Sequence, residues 1–512
     1  MNASAYYEYY TFNGANFFTL ILKPDGAGKY PVVVTRSPYV GRDQTAEALV
    51  SQFKDKKMQW AEHNYVLVFQ HCRGRGLSSG EFVPYLYERE DSRALRQWVR
   101  KQDFYNGQMF LLGASYTATL HYCTAPFEED ILGAVFRVQD SERYRIWYRN
   151  GMMRTSHADW YFGLYKDESP LKKAYTMDAF SELPIKNLSE RYLGERAEEF
   201  EQMLAAPRFA DAFWQTRLGG AETRDALSKA NIPLLLTTGY NDFYMGGMFR
   251  MWEEMAPETK EKSAMIVSPY NHGDCYDAEN GMCLPNAAIA EQFGKDFPIK
   301  WFDAILKKEK PFVKTGSITY YRTFENAWRT GFDSEKTREI TVRLPGGEKT
   351  LIYNPGNAPA FGSEGTFMNA PGEREDVISV YTAPSERDLF IKGRIKAKLT
   401  VSSDCDDTSF YVMIGIHTEN GDYALRQDIT SLLYQKEHYA KNEKTVLDFV
   451  FDEYAFALKK GQYLRIDIAS ADKNRYVCHR NQTGDYSLLE TYQTAENKVF
   501  LDESFLILPI EE

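Results

Sequence analysis

The sequence predicts an α/β chain: a mostly parallel sheet covered on both faces, interrupted by a helical insertion and followed by an all-β sandwich. Three observations predict it. Short, continuously apolar runs alternate with amphipathic helical stretches over residues 1–144 and again over 230–334. Between them, residues 145–229 lose the strand-like runs and become aromatic and charge-rich. Over residues 335–512 the runs are short and β-rich, separated by turns and without helical periodicity. Strands buried on both faces read as unbroken apolar runs rather than as alternation, and their interleaving with helices signals a parallel sheet.

The elements follow in order. Phe17–Leu22 and Pro31–Thr35 (PVVVT) are strands split by the turn Pro24-Asp25-Gly26. Tyr65–Gln70 (YVLVFQ) is a third strand and Gln108–Leu112 a fourth. Glu88–Lys101 between them is a helix, with Ala94, Leu95, Trp98 and Val99 at helical spacing. Ala118–Cys123 predicts another helix, and Ser189–Leu204 is helix-compatible within the insertion. Strand–helix alternation resumes with Pro233–Thr238 (PLLLTT), Met248–Met255, Ala264–Ser268 (AMIVS) and Ala287–Lys307, and closes with the strand Ser317–Tyr321. Beyond these, Ile340–Leu344, Ile395–Val401, Ser409–Ile416, Thr445–Phe451, Tyr463–Ile468 and Glu503–Leu508 are the strands of a sandwich.

Composition excludes several classes. With 43% hydrophobic and 26% charged residues the chain is globular, not disordered. A net charge of −11 and the lack of a basic run exclude nucleic acid as a partner. Six scattered cysteines form no C-x-x-C pair, and no H-E-x-x-H or His/Asp cluster marks a catalytic metal, so neither metal nor cofactor is expected. The N-terminus MNASAYYEYYTFNG lacks the parts of a secretory signal, and no apolar run approaches the ~20 residues that span a bilayer. The expected location is cytoplasmic, with no membrane partner. Aromatic residues make up 15% of the chain, including 35 tyrosines, which suits large aromatic-lined pockets.

One segment carries chemistry. Gly113-Ala114-Ser115-Tyr116-Thr117-Ala118 follows a strand and precedes a helix. Serine at a strand–turn–helix is the nucleophile elbow, whose tight turn demands small flanking residues. Gly113 satisfies this two residues before Ser115; Thr117 takes the place of the usual second glycine, and the small residue falls at Ala118. The plainer alternative is a serine that caps a helix. An α/β-hydrolase presents its triad in the order serine, acid, histidine. Pro233–Thr238 is followed by Asp242, and Ala264–Ser268 by His272, so both lie just past the C-terminal ends of late strands. His272 would take the serine proton and Asp242 would hold the imidazole tautomer. His71 follows a strand but precedes the serine, and His121 sits on the predicted helix. Asp274 is a second acid, only two residues from His272.

These residues belong to a wider pattern. Arg36-Ser37-Pro38-Tyr39 resembles R-x-P-Y, and Arg73–Phe82 (RGRGLSSGEF) resembles R-G-x-G-x-S-x-G-x-F. Glu88, Asp91 and Trp98 resemble an E-x-x-D…W helix, Asn106-Gly107 an N-G before the nucleophile strand, and Tyr353-Asn354-Pro355 a Y-D-P motif. Together they resemble the serine hydrolase family of cocaine esterase, X-prolyl dipeptidyl-peptidase and α-amino-acid ester hydrolase, over nearly the whole chain. The resemblance implies an α/β-hydrolase core, an inserted helical cap, a C-terminal jelly-roll domain and often a homo-oligomer. It also implies an oxyanion hole made by the Tyr116 N–H and the Tyr39 hydroxyl. The chain departs from the pattern at His71-Cys72, where many relatives carry an aspartate, and no acidic run beside Asp242 would bind a substrate ammonium. Glu142 and Asp140 are the remaining acids for that role, or surface partners of Arg143 and Arg145. Trp147, Tyr148, Met152, Met153, Trp160, Tyr161 and Phe162 line an acyl pocket or form the core of the insertion. The Arg73-Gly74-Arg75-Gly76 stretch lacks phosphate-loop spacing and is expected to support the site. The expected activity is cleavage of an ester, amide or short peptide through an acyl-enzyme. The alternatives are a dipeptidyl-peptidase or acyltransferase on the same residues and, more remotely, a binding module on an inactive scaffold.

Overall fold

The computed structural model describes residues 2–41, 43–139, 143–165, 177–216, 228–333 and 337–511. The first sheet contains β1 (Ala3–Phe12), β2 (Ala15–Pro24), β3 (Tyr30–Ser37), β4 (Val66–His71), β5 (Tyr105–Ala114) and β6 (Ile131–Arg137). After the short ribbon β7 (Tyr148–Arg149) and β8 (Met152–Met153), it continues with β9 (Leu234–Gly239), β10 (Ala264–Ser268), β11 (Ser317–Arg322) and β12 (Ala327–Thr330). Its order is β1-β2-β4-β3-β5-β6-β9-β10-β11-β12. The run from β4 to β11 is parallel, and the strands at either end are antiparallel.

The apolar runs explain the burial. Val32, Val34, Val66, Val68, Met109, Leu111, Leu234 and Leu236 enter one core, and Val33, Leu67, Phe110, Val135, Leu235 and Ile266 enter the other. Alternate side chains of a strand point to opposite faces, so a strand covered on both must be apolar throughout. Helix α1 (Ala46–Glu62) contributes Phe53 and Trp60 to the second core, and α2 (Glu88–Val99) contributes Leu95 and Val99 to the first. Strand β1 was not expected: its tyrosines half-expose one face of an edge strand, and its mixed sequence hides the alternation.

Two long helical expectations break at glycines. Ser189–Leu204 is the helices Leu188–Leu193 and Glu198–Leu204, divided after Gly194 (φ 73°). Ala287–Lys307 is the helices Ile289–Phe293 and Phe297–Lys307, divided by Gly294 (φ 88°).

After residue 336 every strand pairing is antiparallel among the described residues. Ala495–Glu511 pairs with Thr337–Arg343, Glu348–Tyr353, Leu389–Gly393 and Lys396–Ser403. A second sheet runs Ile378–Tyr381, Leu464–Ala469, Ser409–Thr418, Gly421–Ser431. These sheets dock on the first. Tyr240 packs on Tyr454 with ring centroids 4.5 Å apart, and Thr323 exchanges backbone hydrogen bonds with Ala455 and Ala457. One apolar core therefore runs from the parallel sheet into the C-terminal strands.

Candidate active site

Strand β5 ends at Ala114 and helix α3 (Tyr116–Tyr122) begins at once. Ser115 between them has φ 56° and ψ −133°. A non-glycine residue held there costs about 1–3 kcal/mol, which the surroundings must offset. They do so by close packing. A Cβ on Gly113 would lie 2.4 Å from the Thr117 carbonyl oxygen and 2.5 Å from the Ala118 nitrogen, so only glycine lets strand and helix approach. Thr117 laces the turn: its hydroxyl donates to the Ala114 carbonyl and accepts from the Ala114 N–H, both at 2.7 Å. The threonine in the usual glycine position thus braces the elbow, and the fully buried Ala118 meets the demand for a small residue.

The loops after β9 and β10 carry the other two residues. His272 Nδ1 lies 2.9 Å from Asp242 Oδ1. The Asp242 side chain is buried and the His272 side chain 34% exposed. Asp242 Oδ2 accepts from the Thr238 hydroxyl, and Oδ1 accepts from the Tyr244 N–H. The loops are tied by Tyr240 N–H donating to the Ser268 carbonyl and Asn241 N–H to that of Tyr270. Phe243 stacks on His272 with centroids 5.0 Å apart, and the Tyr244 ring lies 5.2 Å from it.

The half-buried Ser115 side chain lies beside the phenols of Tyr39 and Tyr244, close enough to favour their ionised forms. Tyr244 is therefore a neighbour of both Ser115 and His272. Tyr39 is half-exposed, but its hydroxyl turns inward and accepts from the Trp160 indole N–H at 3.2 Å. Desolvation of that hydroxyl raises its pKa, against the pull of Trp160 and Ser115, so it stays an O–H donor. Burial likewise holds Tyr244 well above the ordinary range. The Tyr116 N–H belongs to the first turn of α3, where N–H groups have no partner within the helix.

A buried ion-pair network sits behind these groups. Arg36 donates to Gln70, to Ser92 and to Glu88. Glu88 accepts the Tyr116 hydroxyl at 2.7 Å, and Asp91 takes Arg73 through Nε (3.1 Å) and Nη2 (2.6 Å). Arg75 donates to the Pro38 carbonyl, fixing the loop that carries Tyr39. The scattered motifs meet here: Arg36 and Tyr116 share Glu88, Arg73 holds Asp91 on the same helix, and Arg75 holds the Tyr39 loop. Gly76 is required by contact, since a Cβ would lie 2.3 Å from His71 Nδ1.

The remaining candidates lie elsewhere. His71 is buried, its Nδ1 accepts the Leu77 N–H, and burial lowers its pKa to about 4. His121 is buried against α2 and held neutral by burial and then by Arg96. Asp274 accepts the Ile289 N–H rather than the imidazole. Glu142 and Asp140 lie outside the described residues. Trp147, Tyr148, Met153, Tyr161 and Phe162 form a core of the helical segment with Phe200 and Trp214, and Met152 packs on Phe361 and Tyr411. Trp160 alone of that group reaches Tyr39. Sequence reasoning missed Tyr244 and His157, whose ring lies 5.1 Å from Phe243. The signal available for Tyr244 was its place two residues after Asp242.

Comparisons with known proteins match this layout. The model for X-Pro dipeptidyl-peptidase (S15 family) matches residues 13–274, and that for the X-Pro dipeptidyl-peptidase C-terminal non-catalytic domain matches 306–504. Cocaine esterase of Rhodococcus sp. (strain MB1 Bresler) is 22% identical, across 97% of this chain and 96% of its own. An α-amino acid ester hydrolase superposes with a TM-score of 0.79 at 18% identity, covering 99% of this chain and 97% of that one. An aminopeptidase from a marine sediment archaeon, Thaumarchaeota archaeon, superposes with a TM-score of 0.77 at 18% identity, covering 100% and 97%. The two structural likenesses show the fold.

Proposed function

We propose that this chain, which belongs to the X-Pro dipeptidyl-peptidase (S15) family of serine hydrolases, cleaves small esters, amides or short peptides through an acyl-enzyme on Ser115. The observation that carries the proposal is the Ser115 elbow, strained at φ 56° with Tyr39 and Tyr244 beside it, Tyr244 lying 5.2 Å from the His272 ring that pairs with Asp242 at 2.9 Å.

Each group has a role. Ser115 Oγ attacks the carbonyl carbon while His272, neutral and held through Nδ1 by Asp242, takes its proton. Negative charge then develops on the carbonyl oxygen, where the Tyr116 N–H and the Tyr39 O–H donate to it. As the tetrahedral adduct collapses, His272 returns the proton to the leaving group. Water, activated by the same imidazole, then releases the acyl group. Tyr244 steadies the Ser115 hydroxyl before attack.

The same reading divides the chain into a core (1–144 and 230–334), a cap (145–229) and a jelly-roll domain (335–512). The move from one sheet to the next between β12 and Thr337 supports that division. Six free cysteines support a reducing, cytoplasmic setting. No helix among the described residues is long and apolar enough to cross a membrane.

A fluorophosphonate probe tests the chemistry. A covalent adduct on Ser115 is expected; the folded protein remaining unlabelled there would sink the proposal. Matched esters with and without an α-amino group test the peptidase alternative, which requires a marked preference for the free amine.

A further inference from the structure

A cavity of about 410 Å³ opens where the loops after β9 and β10, the helical segment and the C-terminal sheets meet. Phe243 stands between it and the imidazole, stacking on His272 while lining the cavity. Because His272 hands its proton to the leaving group, that group departs on the imidazole side of the scissile bond. The cavity adjoins that imidazole through Asp242 and Phe243, which line it.

Among the described residues the arginines of the wall have carboxylate partners, with one exception, and Arg475 pairs with Asp472 at 3.3 Å. Asp452 pairs with Arg149 (3.0 Å) and Arg145 (3.2 Å), Glu364 lies 3.5 Å from Arg426, and Asp242 holds His272. Asp277 is turned into its own loop, accepting the N–H groups of Glu279 and Asn280. Arg154 also lines the cavity, yet its buried Nε has no hydrogen-bond partner among the described residues. Its backbone is held from two sides, donating to the Trp147 carbonyl at 2.7 Å and bridging to Tyr476. Burial, then the nearby charges of Arg154 and His272, suppress the charge on His157, whose ring lies 5.1 Å from that of Phe243.

Three further lining residues carry buried atoms without a hydrogen-bond partner among the described residues, the Tyr240 hydroxyl, Asn241 Oδ1 and Arg475 Nε, the last of these ion-paired with Asp472 at 3.3 Å. Asn241 spends its Nδ2 on the Pro269 carbonyl, which leaves Oδ1 as an acceptor. Buried polar atoms are nearly always paired, and four residues around this one cavity carry an exception, of which Arg154 alone also lacks an ion pair for its charge among the described residues. An unmatched guanidinium calls for a carboxylate, and the volume suits a small ligand.

We propose that this cavity is a leaving-group subsite for a carboxylate, recognised by Arg154, so that the preferred substrates are esters or amides whose departing portion carries a carboxylate. The departing amino acid of a short peptide and a hydroxy acid are of this class. The inference rests on the Ser115–His272 chemistry proposed above.

The test compares two nearly isosteric esters, O-(3-phenylpropionyl)-lactate and O-(3-phenylpropionyl)-lactamide, by kcat/KM. The wild type is expected to favour the lactate at least ten-fold. Arg154→Met should bring that ratio near one, and Arg154→Lys should restore part of it. Each ratio is internal to one protein, so partial loss of folding does not mimic the effect. A wild-type ratio of one, or an unchanged ratio in Arg154→Met, overturns the subsite. Ser115→Ala separates the two proposals: if it abolishes lactamide turnover while the wild-type ratio is flat, the hydrolase stands and the subsite falls. Calorimetry with the Ser115→Ala protein reads the same discrimination without turnover. At least ten-fold tighter binding of the lactate ester is expected there, and equal binding overturns the subsite.

Discussion

Gly113→Ala probes the elbow directly. The added methyl would meet the Thr117 oxygen at 2.4 Å and the Ala118 backbone at 2.5–2.6 Å. Ordinary van der Waals contact begins near 3.4 Å, so helix α3 must retreat by about 1 Å. The contacts are backbone, and no side-chain rotamer can relieve them. Overpacking of this kind costs ~1–3 kcal/mol of stability. The retreat also carries Ser115 and the Tyr116 N–H away from the substrate carbonyl, and a misplacement of ~1 Å costs ~10² in rate. The assay is kcat/KM on an aryl ester, with thermal unfolding measured in parallel. Gly347→Ala is the control, since a Cβ there meets nothing within 4 Å. The expected result is a folded protein, modestly destabilised and slower by ~10²-fold. A Gly113→Ala enzyme with wild-type turnover would refute the packing argument.

Three other outcomes are expected. Ser115→Ala or His272→Ala should each remove several orders of magnitude of turnover and the double variant little more, while Tyr39→Phe should cost roughly 10²–10³-fold; near-normal turnover in folded His272→Ala would remove that base and Asp242 with it. His71 is buried neutral with its pKa lowered from 6.5 to about 4, so its stabilisation is full above pH 6.5 and is lost as pH falls towards 4. The destabilisation caused by His71→Gln should therefore shrink by about 2 kcal/mol between pH 7 and pH 5 in urea titrations, and an equal cost at both pH values would contradict it. The comparison must be between variants, because the buried carboxyls of Glu453 (pKa raised to about 7) and Asp472 (about 6) bias the whole curve the other way. Truncation near residue 335 should uncover Tyr240 and its neighbours in the shared core and cost solubility, and a soluble, fully active truncated enzyme would refute that.

By itself the sequence determined the local geometry. Runs such as PVVVT and YVLVFQ are apolar at every position because their strands are covered on both faces, and that need is written in consecutive residues. The elbow was legible for the same reason, since Gly113, Ser115 and Ala118 answer steric demands within one turn. Asp242 and His272, which pair at 2.9 Å, were singled out through position in chain order, a property of a parallel sheet that needs no distances. Only the tertiary structure decided what converges from separate segments. It brought Tyr244 to both Ser115 and His272, gathered Arg36, Arg73, Glu88, Asp91 and Tyr116 into one buried network, and kept most of the aromatic insertion for its own core. It also left the Arg154 Nε without a hydrogen-bond partner among the described residues, beside a cavity whose walls come from the loops of the first sheet, the helical segment and the C-terminal sheets. Pairing across tens or hundreds of residues depends on packing distances of a few ångströms, and residue order carries no such distances.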